Sequence, residues 1–392
     1  MTSTEVNKQL AEISKYNSDK ELPKSFEDLI LEVHNRGICG QCAGCVSFCS
    51  ADQIGAIQMR EDGPPIYVNK DNCLSCGICY LICPQTKVFN SELHNKYQFK
   101  PPIGNWRNIT SAQATDHKVR AIATDGGIVT ALLLYLLDNN MIDGAIVTRK
   151  TDPFTRKAVL ATSSEEVIEA AGSKFDSQSL TEHLGKYTTF TPVITSLKQF
   201  MDADRMNLAV VGVPCQIHSI RKMQELKIVP SHVVKYVFGL FCNENFTLSE
   251  ELRQKMEEKF NFSFDDVIKM NIKEDIIFFL RNAEPLHISF PEIDEFMRPA
   301  CTACDDFSNV YADISFGGLG SKDHFTTTLI RTPIGALIYN DALAQGYIVE
   351  FPEDNTPLMK SKMIAEIISY AKWKMKRANK FLMNLKESGN GE

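Results

Sequence analysis

Twelve cysteines set the chemistry of this 392-residue chain. Cys39, Cys42, Cys45 and Cys49 are spaced C-x2-C-x2-C-x3-C, and Cys73, Cys76, Cys79 and Cys83 repeat that spacing before Pro84. Three closely spaced thiolates can grip three irons of one cubane while the fourth crosses to a second cubane. The spacing therefore assigns Cys39, Cys42, Cys45 and Cys83 to one 4Fe–4S cluster, and Cys73, Cys76, Cys79 and Cys49 to another. Soft thiolates suit iron–sulfur sites, and the small residues Gly40, Ala43, Gly44 and Gly77 let backbone amides approach the sulfurs. Structural zinc asks for two C-x2-C pairs across a longer loop, which two complete four-cysteine runs do not fit. Ser50 takes the place that Pro84 holds in the second run, so the two loops are expected to differ in shape.

Four cysteines remain. Cys215 follows the apolar run "LAVVGVP", Cys242 follows "VVKYVFGLF", and Cys301 and Cys304 form a C-x2-C in "RPACTACDDF". Taken singly, Cys215 and Cys242 read as small buried hydrophobes. In a parallel sheet, however, neighbouring strands end on one side, where ligands collect. Two strand-end cysteines and a C-x2-C hook then make a set of four thiolates. The count leaves a zinc site open; in a chain that already carries two clusters, a third cluster is the more economical reading.

These groups need elements to position them. "SFEDLILEVHNRG", opened by a Ser25 cap, predicts a short helix ending at Gly37. "QFKPPIGNW" reads as a linker. Beyond it, the strand-like runs "GAIVTRK", "KAVLATS", "NLAVVGVP" and "VVKYVFGLF" alternate with the helical segments "GGIVTALLLYLLDNN" and "SEEVIEAAG". The alternation predicts an α/β domain. The tail "MIAEIISYAKWKMKRANKFLMNL" predicts a long amphipathic helix. Its basic stripe of Lys372, Lys374, Lys376, Arg377 and Lys380 reads as the solvated face of a packed helix. The cysteine run is the one internal duplication, and no solenoid period is present.

Three glycine-rich pieces lie in the α/β part. "ATDGGIVTALL" puts Asp125 at the expected N-cap of an apolar helix, whose N-terminus would attract phosphate. "AAGSKF" offers a turn with Ser173 and Lys174, and "DISFGGLGSKDHF" a second glycine loop. None is a G-x-G-x-x-G or a Walker loop. Beside an iron–sulfur wire, the three together favour an anionic flavin nucleotide. Lys174 and His218 are candidates for charge near that flavin, with an ordinary structural role weighed equally for His218. No acid–base pair is named.

The segments "TDGGIVTALL", "GSKF", "GVPCQI", "FC", "CTACDDF" and "ADISFGGLGS", in this order, resemble the coenzyme F420 hydrogenase/dehydrogenase beta-subunit family. With the two cysteine runs, the likeness covers about residues 36–335. The runs themselves resemble the versions of that protein in F420H2 dehydrogenases and F420-linked formate dehydrogenases. The resemblance implies an iron–sulfur flavoprotein oxidoreductase that holds FAD and three 4Fe–4S clusters, with coenzyme F420 as substrate. It implies cluster ligation by Cys215, Cys242, Cys301 and Cys304. It implies FAD contacts from Thr124, Asp125, Gly126, Gly127, Thr130, Gly172, Ser173 and Lys174, and a flavin or deazaflavin pocket lined by Gly317, Gly318 and Gly320. The implied architecture is an N-terminal extension and helix (1–35), a bacterial-type two-cluster ferredoxin domain of α+β class (36–95), a linker (96–106), an α/β flavoprotein core (107–345) and a C-terminal helical segment (346–392). Electrons would pass to or from a partner redox subunit of a larger complex. The alternative is a ferredoxin-linked flavin reductase of the same fold acting on another organic substrate.

Bulk properties narrow the rest. A net charge of −7 gives no basic field for nucleic acid. The apolar run "GGIVTALLLYLL" is shorter than the ~20 residues of a spanning helix. The first 24 residues carry no apolar core like that of a secretory signal. A cytoplasmic location is expected, with membrane association only through partners.

Overall fold

The computed structural model describes residues 24–60, 63–150, 156–172, 187–188, 206–245, 247–248 and 250–389. The cysteine-rich end opens on α1 (Phe26–Leu29), continued by a π-helical turn over Ile30–His34. Ser25 caps it as the sequence predicts: its Oγ accepts the Glu27 N–H, and its own N–H reaches the Asp28 carboxylate at 2.6 Å. Next come α2 (Gly44–Ala51), the hairpin β1 (Ile57–Arg60) and β2 (Gly63–Tyr67), α3 (Ile78–Leu81) and α4 (Asn90–Lys96).

The α/β part begins with β3 (Asn108–Ala114), α5 (His117–Ile122), α6 (Ile128–Asp138), β4 (Gly144–Lys150), β5 (Arg156–Ala161) and α7 (Ser164–Glu169). It continues through β6 (Tyr187–Thr188), β7 (Leu208–Gly212), α8 (Pro214–Glu225), β8 (Val234–Leu240), β9 (Thr247–Leu248) and α9 (Glu250–Phe260). A small antiparallel sheet follows, β10 (Val267–Ile272), β11 (Ile276–Leu280) and β12 (Leu286–Ile288), and then α10 (Pro299–Thr302). The chain ends with β13 (Ile314–Gly317), β14 (Thr326–Ile330), α11 (Pro333–Ala344), β15 (Ile348–Glu350) and α12 (Pro357–Gly389). The expected strand and helix segments all fall on these elements, and the fold is mixed α/β.

The main sheet has eight strands in the order β15–β3–β14–β13–β8–β7–β4–β5. Its centre, β4–β7–β8–β13, is parallel, and the remaining pairs are antiparallel. Every residue of β7 is buried, as a central parallel strand covered on both faces requires. Ala209 and Val211 join Leu132, Leu136 and Ile338 in the core under α6 and α11. Leu208 and Val210 join Ile217, Ile220 and Met223 of α8 on the opposite face. A fully buried side chain of this size contributes about 1.5–3 kcal/mol.

The second core also holds Phe48, Ile78, Leu81, Ile82, Phe89 and Leu93 from the cysteine-rich end. That end is therefore docked onto the sheet through α8. The segment expected as a linker is tied down as well. Arg331 donates to the carbonyls of Ile103 and Asn105, both at 2.9 Å, and Ile103 is buried. α12 packs Met363, Ile367 and Ala371 against the sheet and carries Phe381 and Leu382 to the cysteine-rich core. Among the described residues no helix is long and apolar enough to cross a membrane.

Candidate functional site: three cysteine sets and a cavity

The duplication of the cysteine run extends to the backbone. Gln41 and Ala43 have φ of 51° and 63°, and their counterparts Ser75 and Gly77 have 49° and 75°. Left-handed backbone at three non-glycine positions is costly. It turns amides toward the sulfurs: Cys39 takes an N–H from Gln41, Cys42 from Gly44, Cys76 from Ile78, and Cys83 from Gln85 and Thr86. Burial pushes the Cys39 thiol up to about 12 and Cys42 to about 11, against the pull of those amides. Such thiols ionise only with a cation to ligate.

Proximity groups the cysteines. Cys39, Cys42, Cys45 and Cys83 line one small cavity, which Cys215 also borders. The charges acting on Cys79 come from Cys76, Cys73 and Cys49. Those acting on Cys215 come from Cys42, then Cys304, Cys242 and Cys301. The soft donors, left-handed loops and inward amides fit iron–sulfur clusters. Among the described residues no group of three or more His, Cys, Asp or Glu is arranged to hold a single metal ion; a cubane spreads its ligands over four irons.

The third set is built by sheet register. Gly212 of β7 pairs with Gly239 of β8 in parallel, and Cys215 and Cys242 each stand three residues further on. Pro214 opens α8 directly behind the strand, which puts Cys215 in the helix's first turn. The hook comes from α10. Asn245 joins the two sources: its backbone N–H lies 3.3 Å from Cys301 Sγ and its Nδ2 3.4 Å from Cys242 Sγ. The first and third sets meet at Gly40, where a Cβ would lie 3.7 Å from Cys215 Sγ.

On the flank of this set lies a cavity of about 380 Å³, within the range of small-ligand sites. Thr124, Asp125, Gly127, Thr130, Gly172 and Gly317 all line it, together with Cys242 of the third set. Ile128, Val129 and Thr130 bring the first turn of α6 to its wall. The N-cap of α6 is Gly127, with no side-chain cap, and not Asp125 as expected. Gly127 has φ 76° and so ends the preceding turn later than a capping Asp125 would. Asp125 is turned toward Gly318, where a Cβ would stand 2.7 Å from its Oδ2. The helix N-terminus opened by Gly127 and the glycine-bordered wall fit a phosphate-bearing cofactor such as FAD.

Not every expected residue lines the cavity. Gly126 threads between β3 and β14; a Cβ there would meet the Ala112 carbonyl at 2.5 Å. Gly318 backs Asp125, and Gly320 packs on Met363 of α12. Ser173 and Lys174 lie outside the described residues. His218 is not among the residues that line the cavity; its ring sits 4.8 Å from that of Tyr311. Burial and the nearby Lys222 hold His218 well below its usual value, so it carries no charge toward a flavin.

Other residues escaped the sequence reading. Asn243, next to Cys242, is 5% exposed and lines the cavity, and neither atom of its side-chain amide has a hydrogen-bond partner among the described residues. Its signal was position: "FCNEN" leaves the end of β8. The basic stripe of α12 also splits. Lys372, Lys376 and Lys380 remain outside the core, but Lys374 is buried and Arg377 is bound to Glu244. The 3.6-residue period turns those two inward onto the third set. Lys222 is likewise fully buried and donates to the Cys83 carbonyl at 2.7 Å.

Two parts of one family match the chain. The N-terminal part of the coenzyme F420 hydrogenase/dehydrogenase beta subunit matches residues 109–184, and its C terminus matches residues 205–356. The beta subunit of coenzyme F420 hydrogenase from Methanosarcina barkeri is 32% identical over 253 residues, 63% of this chain and 82% of that protein. The beta subunit of F420-dependent formate dehydrogenase from Methanocaldococcus jannaschii is 30% identical over 267 residues, 66% of this chain and 66% of that protein. A chain of the F420-reducing nickel–iron hydrogenase complex from Methanosarcina barkeri is structurally similar, with a TM-score of 0.62 at 30% identity, over 73% of this chain and 94% of that one.

Proposed function

Because the chain belongs to the coenzyme F420 hydrogenase/dehydrogenase beta-subunit family, we propose that it is an F420 oxidoreductase subunit, exchanging electron pairs with coenzyme F420 and single electrons with a partner redox subunit. FAD bound in the cavity would supply the conversion between two-electron and one-electron chemistry, and three 4Fe–4S clusters would supply the one-electron path.

The chain's own residues have defined parts in this reading. Thr124, Asp125, Gly127, Thr130, Gly172 and Gly317 form the cofactor wall, and the first turn of α6 presents amides to its phosphates. Apolar side chains of β10, β11 and β12, among them Met270, Ile276 and Phe278, close the far side and exclude water. Cys215, Cys242, Cys301 and Cys304 hold the third cluster, with Asn245 orienting two of their sulfurs. Cys39, Cys42, Cys45 and Cys83 hold the next, and Cys73, Cys76, Cys79 and Cys49 the outer one.

One observation carries the proposal. Cys242 lines the cavity, while Cys215 of the same set abuts Gly40 of the first run. Cavity, third set and first set are therefore continuous. The test is anaerobic reconstitution followed by reduced F420. The flavin absorbance should bleach, and cluster absorbance should follow. If F420H2 leaves the flavin oxidised while another donor bleaches it, the substrate assignment fails.

A further inference from the structure

The helix α12 brings two cations to the third cysteine set. Lys374 is 1% exposed, and its Nζ donates to the carbonyls of Cys242 at 2.6 Å and Asp306 at 2.9 Å. One turn later, Arg377 pairs with Glu244, whose side chain is fully buried. Arg377 also donates to the carbonyls of Asn243 at 3.0 Å and Cys301 at 3.3 Å. Both halves of the set, the strand end and the hook, are thus held from one helix. Both family matches stop by residue 356, before α12 begins at Pro357.

A buried ammonium is costly unless anionic charge offsets it. Among the described residues no carboxylate oxygen accepts from Lys374 Nζ, which donates to two backbone carbonyls. The anionic groups that act on it most are Cys304, Cys242 and Cys301, ahead of Asp306. A four-thiolate cluster is net negative and gains a further negative charge on reduction. A fixed cation in a low-dielectric site stabilises the reduced form most and raises the potential.

We propose that Lys374, seconded by Arg377, sets the reduction potential of the third cluster, making α12 an electrostatic strap on the step between cavity and wire. The proposal rests on reading Cys215, Cys242, Cys301 and Cys304 as ligands of a 4Fe–4S cluster. Lys374 and Arg377 are positioning and tuning residues; neither touches the reacting atoms.

The test uses the full chain, reconstituted anaerobically, with iron and sulfide counted per chain and an EPR-monitored redox titration. Iron in the unsubstituted chain and in Cys242→Ser tests the cluster reading alone: Cys242→Ser should lose one cluster's iron, and equal iron in both would remove the third cluster. With that cluster present, Lys374→Met should shift one signal to lower potential and leave the other two unmoved. Lys374→Arg should stay near the parent, and Arg377→Gln should shift the same signal by less. Full iron with the parent potential in Lys374→Met overturns the proposal. Loss of the third cluster from all three variants, the charge-keeping Lys374→Arg included, also overturns it by assigning α12 a packing role. Should Lys374→Met alone lose iron, an unmoved potential in Arg377→Gln overturns it.

Discussion

Gly40, inside the first cysteine run, lies against Cys215 at the end of β7: a Cβ on Gly40 would stand 3.6 Å from Cys215 Cβ and 3.7 Å from its Sγ. This contact is where the cysteine-rich end meets the third set. Alanine would enter at ordinary contact distance, whereas valine would add two methyls into a packed junction. Gly40→Ala is expected to keep full iron and parent-like transfer from flavin to clusters. Gly40→Val should lose iron or slow that transfer, read by iron content and stopped-flow bleaching.

Gly44 is tighter. A Cβ there would lie 2.0 Å from Ser219 Oγ, 3.1 Å from Ser219 Cβ and 3.3 Å from Met223 Cε. Gly44→Ala should destabilise the docking of α2 on α8 by about 1–3 kcal/mol. Ser219→Ala in the same chain should recover part of the loss, because it removes the nearest atom. A double-mutant cycle on thermal midpoints measures the coupling, and additive effects would show that the two helices yield independently.

Asn243→Leu should move stability and binding in opposite directions. The buried amide has no partner among the described residues, so an apolar isostere should stabilise the flavin-free chain by about 1–3 kcal/mol. The same change removes a donor and an acceptor from the cavity wall, and flavin affinity should fall about tenfold. Calorimetric unfolding and flavin fluorescence titration read the two effects. A variant that weakens both would mean that the amide serves folding alone.

Arg331 pins the segment between the cysteine-rich end and β3. Its guanidinium is buried and also donates to Ser315 Oγ at 2.6 Å and to the Ser308 carbonyl at 2.8 Å. Arg331→Met would leave several buried acceptors unmet, each costing about 1–3 kcal/mol. The thermal midpoint should drop sharply, and limited proteolysis should open near residues 101–106.

His34 predicts a pH response. Burial, with Arg60 adding to it, lowers its pKa from the usual 6.5 to about 4. The unfolded chain therefore takes up a proton that the folded chain refuses. Stability from this group is complete above about pH 6.5 and declines as pH falls toward 4. His34→Phe should flatten that part of the stability–pH curve measured by chemical denaturation; an unchanged slope would assign the acid sensitivity elsewhere.

Several features were legible before any fold was known. Strand and helix periodicity located the parallel strands, α6 and α12, because those elements bury whole faces. The cysteine spacing marked two matching loops, since cysteines with two or three residues between them must share a loop. The N-cap is Gly127 and not the expected Asp125, because an aspartate before two glycines is an ordinary N-cap signal while the left-handed turn at Gly127 shifts the helix start.

The sequence by itself determined the two cysteine runs, the mixed α/β class and the family, because each rests on local spacing or on ordered short motifs. The tertiary structure decided the rest. Cys215 and Cys242 come together through the pairing of Gly212 with Gly239, a register set by two whole strands. Asn243 became a cavity residue, and Lys374 a buried cation, because segments distant in sequence fold over the same strand end. Burial and partnership at long range depend on what packs above a residue, and no local pattern encodes that.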